Sequence, residues 1–155
     1  MNKKSFEEIF DKTDGFSADK KLILPLNVIG KSMKPLLREH RDTVLLKKYD
    51  GNLKKYDIAL FKRANGSYAL HRVVKICDST YSFCGDNQVT IEKGITDEMI
   101  VAVAEGIYRD EKYIPCERFS YKLYSVIRVF LFPIRCLWFK IKEFFKVTII
   151  KIKRK

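Results

Sequence analysis

The chain has 155 residues, 31 Lys and Arg against 19 Asp and Glu, and a formal net charge of +12. The basic excess is concentrated: residues 119–155 hold ten Lys and Arg and a single acid, Glu143, a net +9 that leaves +3 for the 118 residues before them. A chain of this length suits one domain with an appendage, and a body so near neutrality is not expected to bind polyanions.

Four cysteines, Cys77, Cys84, Cys116 and Cys136, form no Cys-x-x-Cys pair and have no histidines at zinc-site spacing, so no metal or cofactor is expected and the thiols read as structural. The opening Met1-Asn2-Lys3-Lys4-Ser5-Phe6-Glu7-Glu8 lacks the apolar centre of a secretory signal.

In chain order, residues 1–20 read as a short helix over Ser5–Lys12, with Phe6, Ile9 and Phe10 on one side, followed by a polar loop over Thr13–Lys20. Leu22–Ile29 is a strand with a break at Pro25. Gly30-Lys31-Ser32-Met33-Lys34-Pro35 is a turn at its end, with a glycine free to take conformations closed to other residues and a proline fixing the exit. Asp42–Lys48, Tyr56–Phe61, Tyr68–Ile76, Thr80–Cys84 and Met99–Tyr108 continue as strands, separated by turn signals at Asp50-Gly51-Asn52, Asn65-Gly66 and Gly85-Asp86-Asn87. Short strands at close intervals argue for a mainly β body over residues 21–118, an antiparallel sheet or barrel-like arrangement.

Three polar positions in that body are candidates for joint chemistry. Ser32 lies in a turn that exposes its hydroxyl and amides, and His71 lies within a strand. A carboxylate comes either from Asp86, in the Gly-Asp-Asn turn, or from Glu92 shortly after it. Serine, histidine and a carboxylate form a triad by spatial geometry, not by order in the chain. Taken singly, each has an ordinary structural reading: a turn serine, a strand histidine, a turn aspartate.

Four stretches in order, Gly30-x-Ser32-Met33-x-Pro35, Lys55–Phe61, Leu70–Val74 and Gly85-Asp86-Asn87, resemble the boxes of the type I signal peptidase and LexA-like serine peptidase superfamily. The resemblance spans roughly Leu22–Tyr108; the strand box departs from the family pattern by carrying Tyr56 in place of glycine. A histidine directly before Arg72, where bacterial signal peptidases and LexA-like proteins carry lysine, resembles the archaeal and endoplasmic-reticulum branch. The resemblance implies a serine endopeptidase in which Ser32 is the nucleophile, His71 the general base and Asp86 the preferred third member, with Glu92 as the alternative acid. It also implies that the Ser32 backbone N–H serves as oxyanion donor, and that a peptide or protein precursor adds along the edge formed by Leu26, Val28, Ile29 and Gly30. Lys31 and Lys34 flank Ser32 but are not expected to serve as the base, since adjacent turn residues point in different directions, and His40 sits in a charged, solvent-facing segment.

Residues 119–155 read as a basic amphipathic helical tail, with Ser125, Arg128, Arg135, Lys142 and Lys146 in one stripe, apolar residues around the rest, and a kink or split at Pro133. The longest uncharged run is too short to span a bilayer, so the tail is expected to lie on a membrane surface; packing on the body, oligomerisation and a nucleic-acid arm are the competing roles. With no N-terminal anchor read in the sequence, the chain is expected to be peripheral on the cytoplasmic face and to process a precursor made there, with no nucleic-acid partner. A non-catalytic binding module and a self-cleaving regulator are the alternatives.

Overall fold

Residues 23–153 are described by the structure, a computed structural model. The helix and loop expected over Ser5–Lys20 lie outside the described residues. Among the described residues, eight strands form one sheet: β1 (Ile23–Asn27), β2 (Asp42–Lys48), β3 (Ile58–Lys62), β4 (Tyr68–Cys77), β5 (Thr80–Cys84), β6 (Glu92–Ile95), β7 (Ile100–Arg109) and β8 (Lys112–Pro115). Their order is β1-β2-β7-β3-β4-β5-β6, with β8 pairing β7, and every pairing is antiparallel. The mainly β, antiparallel body is therefore as the turn-punctuated sequence requires.

β1 lies at the edge of the sheet and takes up Pro25, opposite Leu45. A proline that cannot donate to a ladder is accommodated at an edge. The central strands bury both faces. In β3, Ile58 and Leu60 enter one core with Val44, Leu46, Ala102 and Ile107, while Ala59 and Phe61 enter a second core with Val73, Phe83 and Val103. Successive side chains of a strand alternate between faces, so a fully apolar segment such as Ile58–Phe61 serves both cores at once.

The strand expected to begin at Tyr56 starts instead at Ile58. Asp57 ties a local turn, its carboxylate accepting from the Lys54 N–H at 2.9 Å and its own N–H donating to the Lys54 carbonyl at 3.1 Å. Tyr56 takes φ +80° there, the left-handed conformation in which glycine is least strained. Two strands carried no readable signal. β6 is polar and contains Gly94, and β8 follows a turn at Asp110-Glu111, where both residues adopt positive φ without a glycine.

The tail folds as two helices, α1 (Phe119–Phe130) and α2 (Phe132–Lys153), separated at Leu131 beside Pro133. α1 buries Tyr121 and Ser125 against the body. All four cysteines are free, and burial pushes the Cys116 thiol up to about 11.

Candidate active site

The segment after β1 leaves the sheet edge through Gly30, at φ +93°, and turns over Ser32–Leu36. The Gly30 N–H donates to Glu39 Oε1 at 2.9 Å, and the Val28 N–H to the Asp42 carbonyl at 3.1 Å. Met33 and Leu37 are buried, so the turn is anchored by its own apolar side chains while Ser32 stays half-buried at the surface. Below it, the fully buried Asp42 carboxylate accepts from Arg38 at 2.8 and 2.9 Å and from Arg109 at 2.8 Å. The charged Arg38–Asp42 segment thus braces the turn from within, while the His40 side chain remains 72% exposed, as its charged surroundings predict.

The second support of the turn comes from the far side of the sheet. The Asn87 N–H donates to the Ser32 carbonyl at 2.7 Å, and Asn87 Nδ2 donates to the Lys31 carbonyl at 3.2 Å. A Cβ on Gly85 would lie 2.7 Å from that same Ser32 carbonyl oxygen. Gly85-Asp86-Asn87 is therefore a clamp on the serine turn: glycine for clearance, asparagine for the hydrogen bonds.

His71 is buried on β4, 3% exposed, with its ring edge-on to Phe61 at 6.1 Å between centroids. Its Nδ1 is 2.9 Å from Glu92 Oε1. Ser32, His71, Gln88 and the edge residues Leu26, Val28, Ile29 and Gly30 line one cleft of about 470 Å³. The structure thus brings the serine, the histidine and the proposed substrate edge to the same cavity. Among the described residues, neither the Ser32 hydroxyl nor its N–H has a hydrogen-bond partner within the protein.

The two candidate acids are divided between the faces of β4. Adjacent residues of a strand point to opposite sides, so His71 and Arg72 look different ways. Asp86 goes with Arg72: Oδ1 accepts from Nε at 2.8 Å and Oδ2 from Nη2 at 2.7 Å, with both groups almost wholly buried. Tyr124 also donates to Asp86 Oδ2, at 3.2 Å. The carboxylate placed at the His71 imidazole is thus that of Glu92 and not that of Asp86, both of whose oxygens are committed to Arg72 on the opposite face.

One residue of the site had no signal in the sequence. Arg63, at the start of the Asn65-Gly66 turn, donates to Glu92 Oε1 through Nη2 at 2.8 Å and to Oε2 through Nε in a short contact. It also lines the cleft. Its place follows from a contact between residues 29 positions apart, which no local pattern announces. The Arg63 hydrogen bonds hold the Glu92 carboxyl below its ordinary value of 4.5, against the opposing effect of burial. Burial pushes the His71 imidazole below its ordinary 6.5, and the neighbouring Glu92 charge acts in the other direction.

Chemically, the cleft offers a hydroxyl and a buried imidazole, with the Glu92 carboxylate behind the ring at Nδ1; an ionised carboxylate can only accept there, which would leave Nε2 to take a proton. Among the described residues, no cluster of His, Cys, Asp or Glu has the arrangement of a metal site. Compared with known proteins, the chain matches no family model, no curated protein and no solved structure.

Proposed function

We propose that the chain is a serine endopeptidase of the signal-peptidase and LexA-like kind, in its histidine-using form, acting on a peptide or protein precursor. One observation carries the reading: Ser32 and His71 line a common cleft while Glu92 engages the far nitrogen of the imidazole. In the proposed reaction Ser32 Oγ attacks the scissile carbonyl and its proton passes to His71 Nε2. The resulting oxyanion is met by the Ser32 N–H. His71 then returns the proton to the leaving amine, and water activated by the same imidazole releases the acyl group and regenerates the serine.

The precursor binds as an added strand beside Leu26 to Gly30, where β1 ends the order of strands among the described residues and Ile29 is half-exposed. Leu26, Val28, Met33, Leu60 and Leu70 make the cleft mainly apolar, which favours an uncharged stretch of the precursor. We place the enzyme peripherally at the cytoplasmic face, since the +9 carried by residues 119–155 suits an anionic leaflet.

A non-catalytic binding module is the second reading. It is favoured by Arg63, which shares Glu92 Oε1 with the imidazole, so that the carboxylate is not committed to His71 alone. The two separate in one experiment. The full chain, Ser32→Ala and His71→Ala are incubated with a complex library of extended peptides, and new termini are counted by mass spectrometry. Cleavage by the parent chain that falls on the order of 10³-fold in both variants supports the peptidase. Equal products from all three, or none from any, sinks it.

A further inference from the structure

The tail reverses the usual disposition of an amphipathic helix. Its polar stripe faces the body: Ser125 Oγ accepts from buried Arg72 at 2.7 Å, Arg128 Nε donates to the Asp86 carbonyl at 2.9 Å, and Arg135 Nε donates to the Gln88 carbonyl at 3.0 Å. Arg128 and Arg135, expected in a membrane-side basic edge, are thus bonded to the backbone carbonyls of Asp86 and Gln88 instead. Phe119, Leu123, Val126, Ile127 and Phe130 of α1 all face outward, Phe119 at 78% and Phe130 at 79% exposure. At about 100° per residue they fall within an arc of roughly 100°. On α2, Ile134, Leu137, Trp138, Ile141, Phe144 and Phe145 share an arc of roughly 120° on the same reckoning, and all are exposed.

We infer that this outward apolar face of α1 and α2 docks on an anionic lipid surface, with the two helices lying in the plane of the interface. The inference does not depend on Ser32 being a nucleophile. Charge decides among the possible occupants. Lys140 and Lys142 flank the α2 arc on its two sides, roughly 100° from its centre, where long side chains carry their ammonium groups to phosphate level. Lys142 Nζ stands 5.2 Å from the centre of the Trp138 ring, placing a cation and an interfacial aromatic together. Residues 151–155 add Lys151, Lys153, Arg154 and Lys155. A second copy on the same face would bring Lys140 and Lys142 of one chain against those of the other, which is repulsive, whereas an anionic bilayer attracts them. Nucleic acid would need the arginines, but Arg128 and Arg135 are bonded to carbonyls of the body. Neither helix spans: among the described residues no helix is long and apolar enough to cross a membrane.

Trp138 is the only tryptophan, so its emission reports this face alone. The full chain is titrated with vesicles of phosphatidylcholine containing phosphatidylglycerol, and with vesicles of phosphatidylcholine only. The expected result is a blue shift of Trp138 emission and co-sedimentation with the anionic vesicles, both weakened by added salt. Phe130→Ser and Leu137→Ser, which replace exposed side chains and leave the circular dichroism unchanged, are each expected to weaken partitioning by roughly tenfold. Absence of shift and co-sedimentation with anionic vesicles overturns the inference. So does a blue-shifted, concentration-dependent emission without lipid, which assigns the face to a second copy, or preferential binding of an oligonucleotide duplex, which assigns it to nucleic acid. Because the readout is spectroscopic, its failure sinks the peripheral placement proposed above but leaves the peptidase chemistry intact, and loss of peptidase activity in Ser32→Ala leaves the vesicle result intact.

Discussion

His71 and Arg72 are neighbours in the chain and belong to different sites. The imidazole takes Glu92 and the guanidinium takes Asp86, so the two acids should separate cleanly on substitution. Glu92→Gln is expected to lower peptide cleavage on the order of 10³-fold with little loss of stability. Asp86→Asn leaves a buried guanidinium without its charge partner and is expected to cost about 3–5 kcal/mol in denaturant unfolding. The pH profile gives a sharper test. Burial holds the His71 pKa below 6.5, so kcat/KM should rise along an acid limb lying below that value and be flat above it. Glu92 raises the imidazole pKa and Arg63 lowers it. Glu92→Gln should therefore move the limb to lower pH and Arg63→Gln to higher pH; a limb that stays fixed in both would remove these residues from the site. The same shift bears on folding. A histidine whose folded pKa is depressed binds more protons when unfolded, so its contribution is complete above about pH 6.5 and is lost as pH falls toward the folded value.

Two short elements decide whether Ser32 is held in place. Gly85→Ala puts a Cβ 2.7 Å from the Ser32 carbonyl oxygen and 2.8 Å from Gln88 Oε1, and the first of these is backbone that cannot swing aside. The expected cost is about 1–3 kcal/mol in stability. Displacing the serine by an ångström should lower cleavage by roughly 100-fold. Wild-type activity in Gly85→Ala would show that the clamp is dispensable. The start of β3 makes the opposite case. Tyr56 at φ +80° carries strain of about 1–2 kcal/mol, held by its N–H bond to the Val73 carbonyl and by Arg72 donating to its own carbonyl. Tyr56→Gly should relieve that strain and raise the denaturation midpoint, by about 1 kcal/mol after the loss of the half-buried ring; a lower midpoint would mean that the ring's packing outweighs it. The first element was readable as a turn from Gly85-Asp86-Asn87, whereas the second read as the start of a strand at Tyr56. What each turn is pressed against was not readable.

At the scale of the molecule, the tail is part of the fold on one side and exposed on the other. Ending the chain at Arg118 strips Arg72 and Asp86 of Ser125, Tyr124 and Arg128, and should cost several kcal/mol of unfolding free energy by leaving buried polar groups without partners. Trp138→Ser, on the outward face, should shift the same midpoint by no more than about 0.5 kcal/mol. Equal stability of the truncated and full chains would mean that the docking contacts are incidental. The sequence by itself determined the strand-and-turn rhythm of the body, the serine turn with its glycine, the histidine in a strand, and the split of the tail at Pro133, because each rests on local backbone preference or short-range periodicity. Only the tertiary structure decided which acid meets His71, that Arg63 joins it, and which side of the tail faces the body. Those are contacts between residues 21 to 53 positions apart, set by strand register and by the face a side chain takes, and a sequence carries no local mark of either.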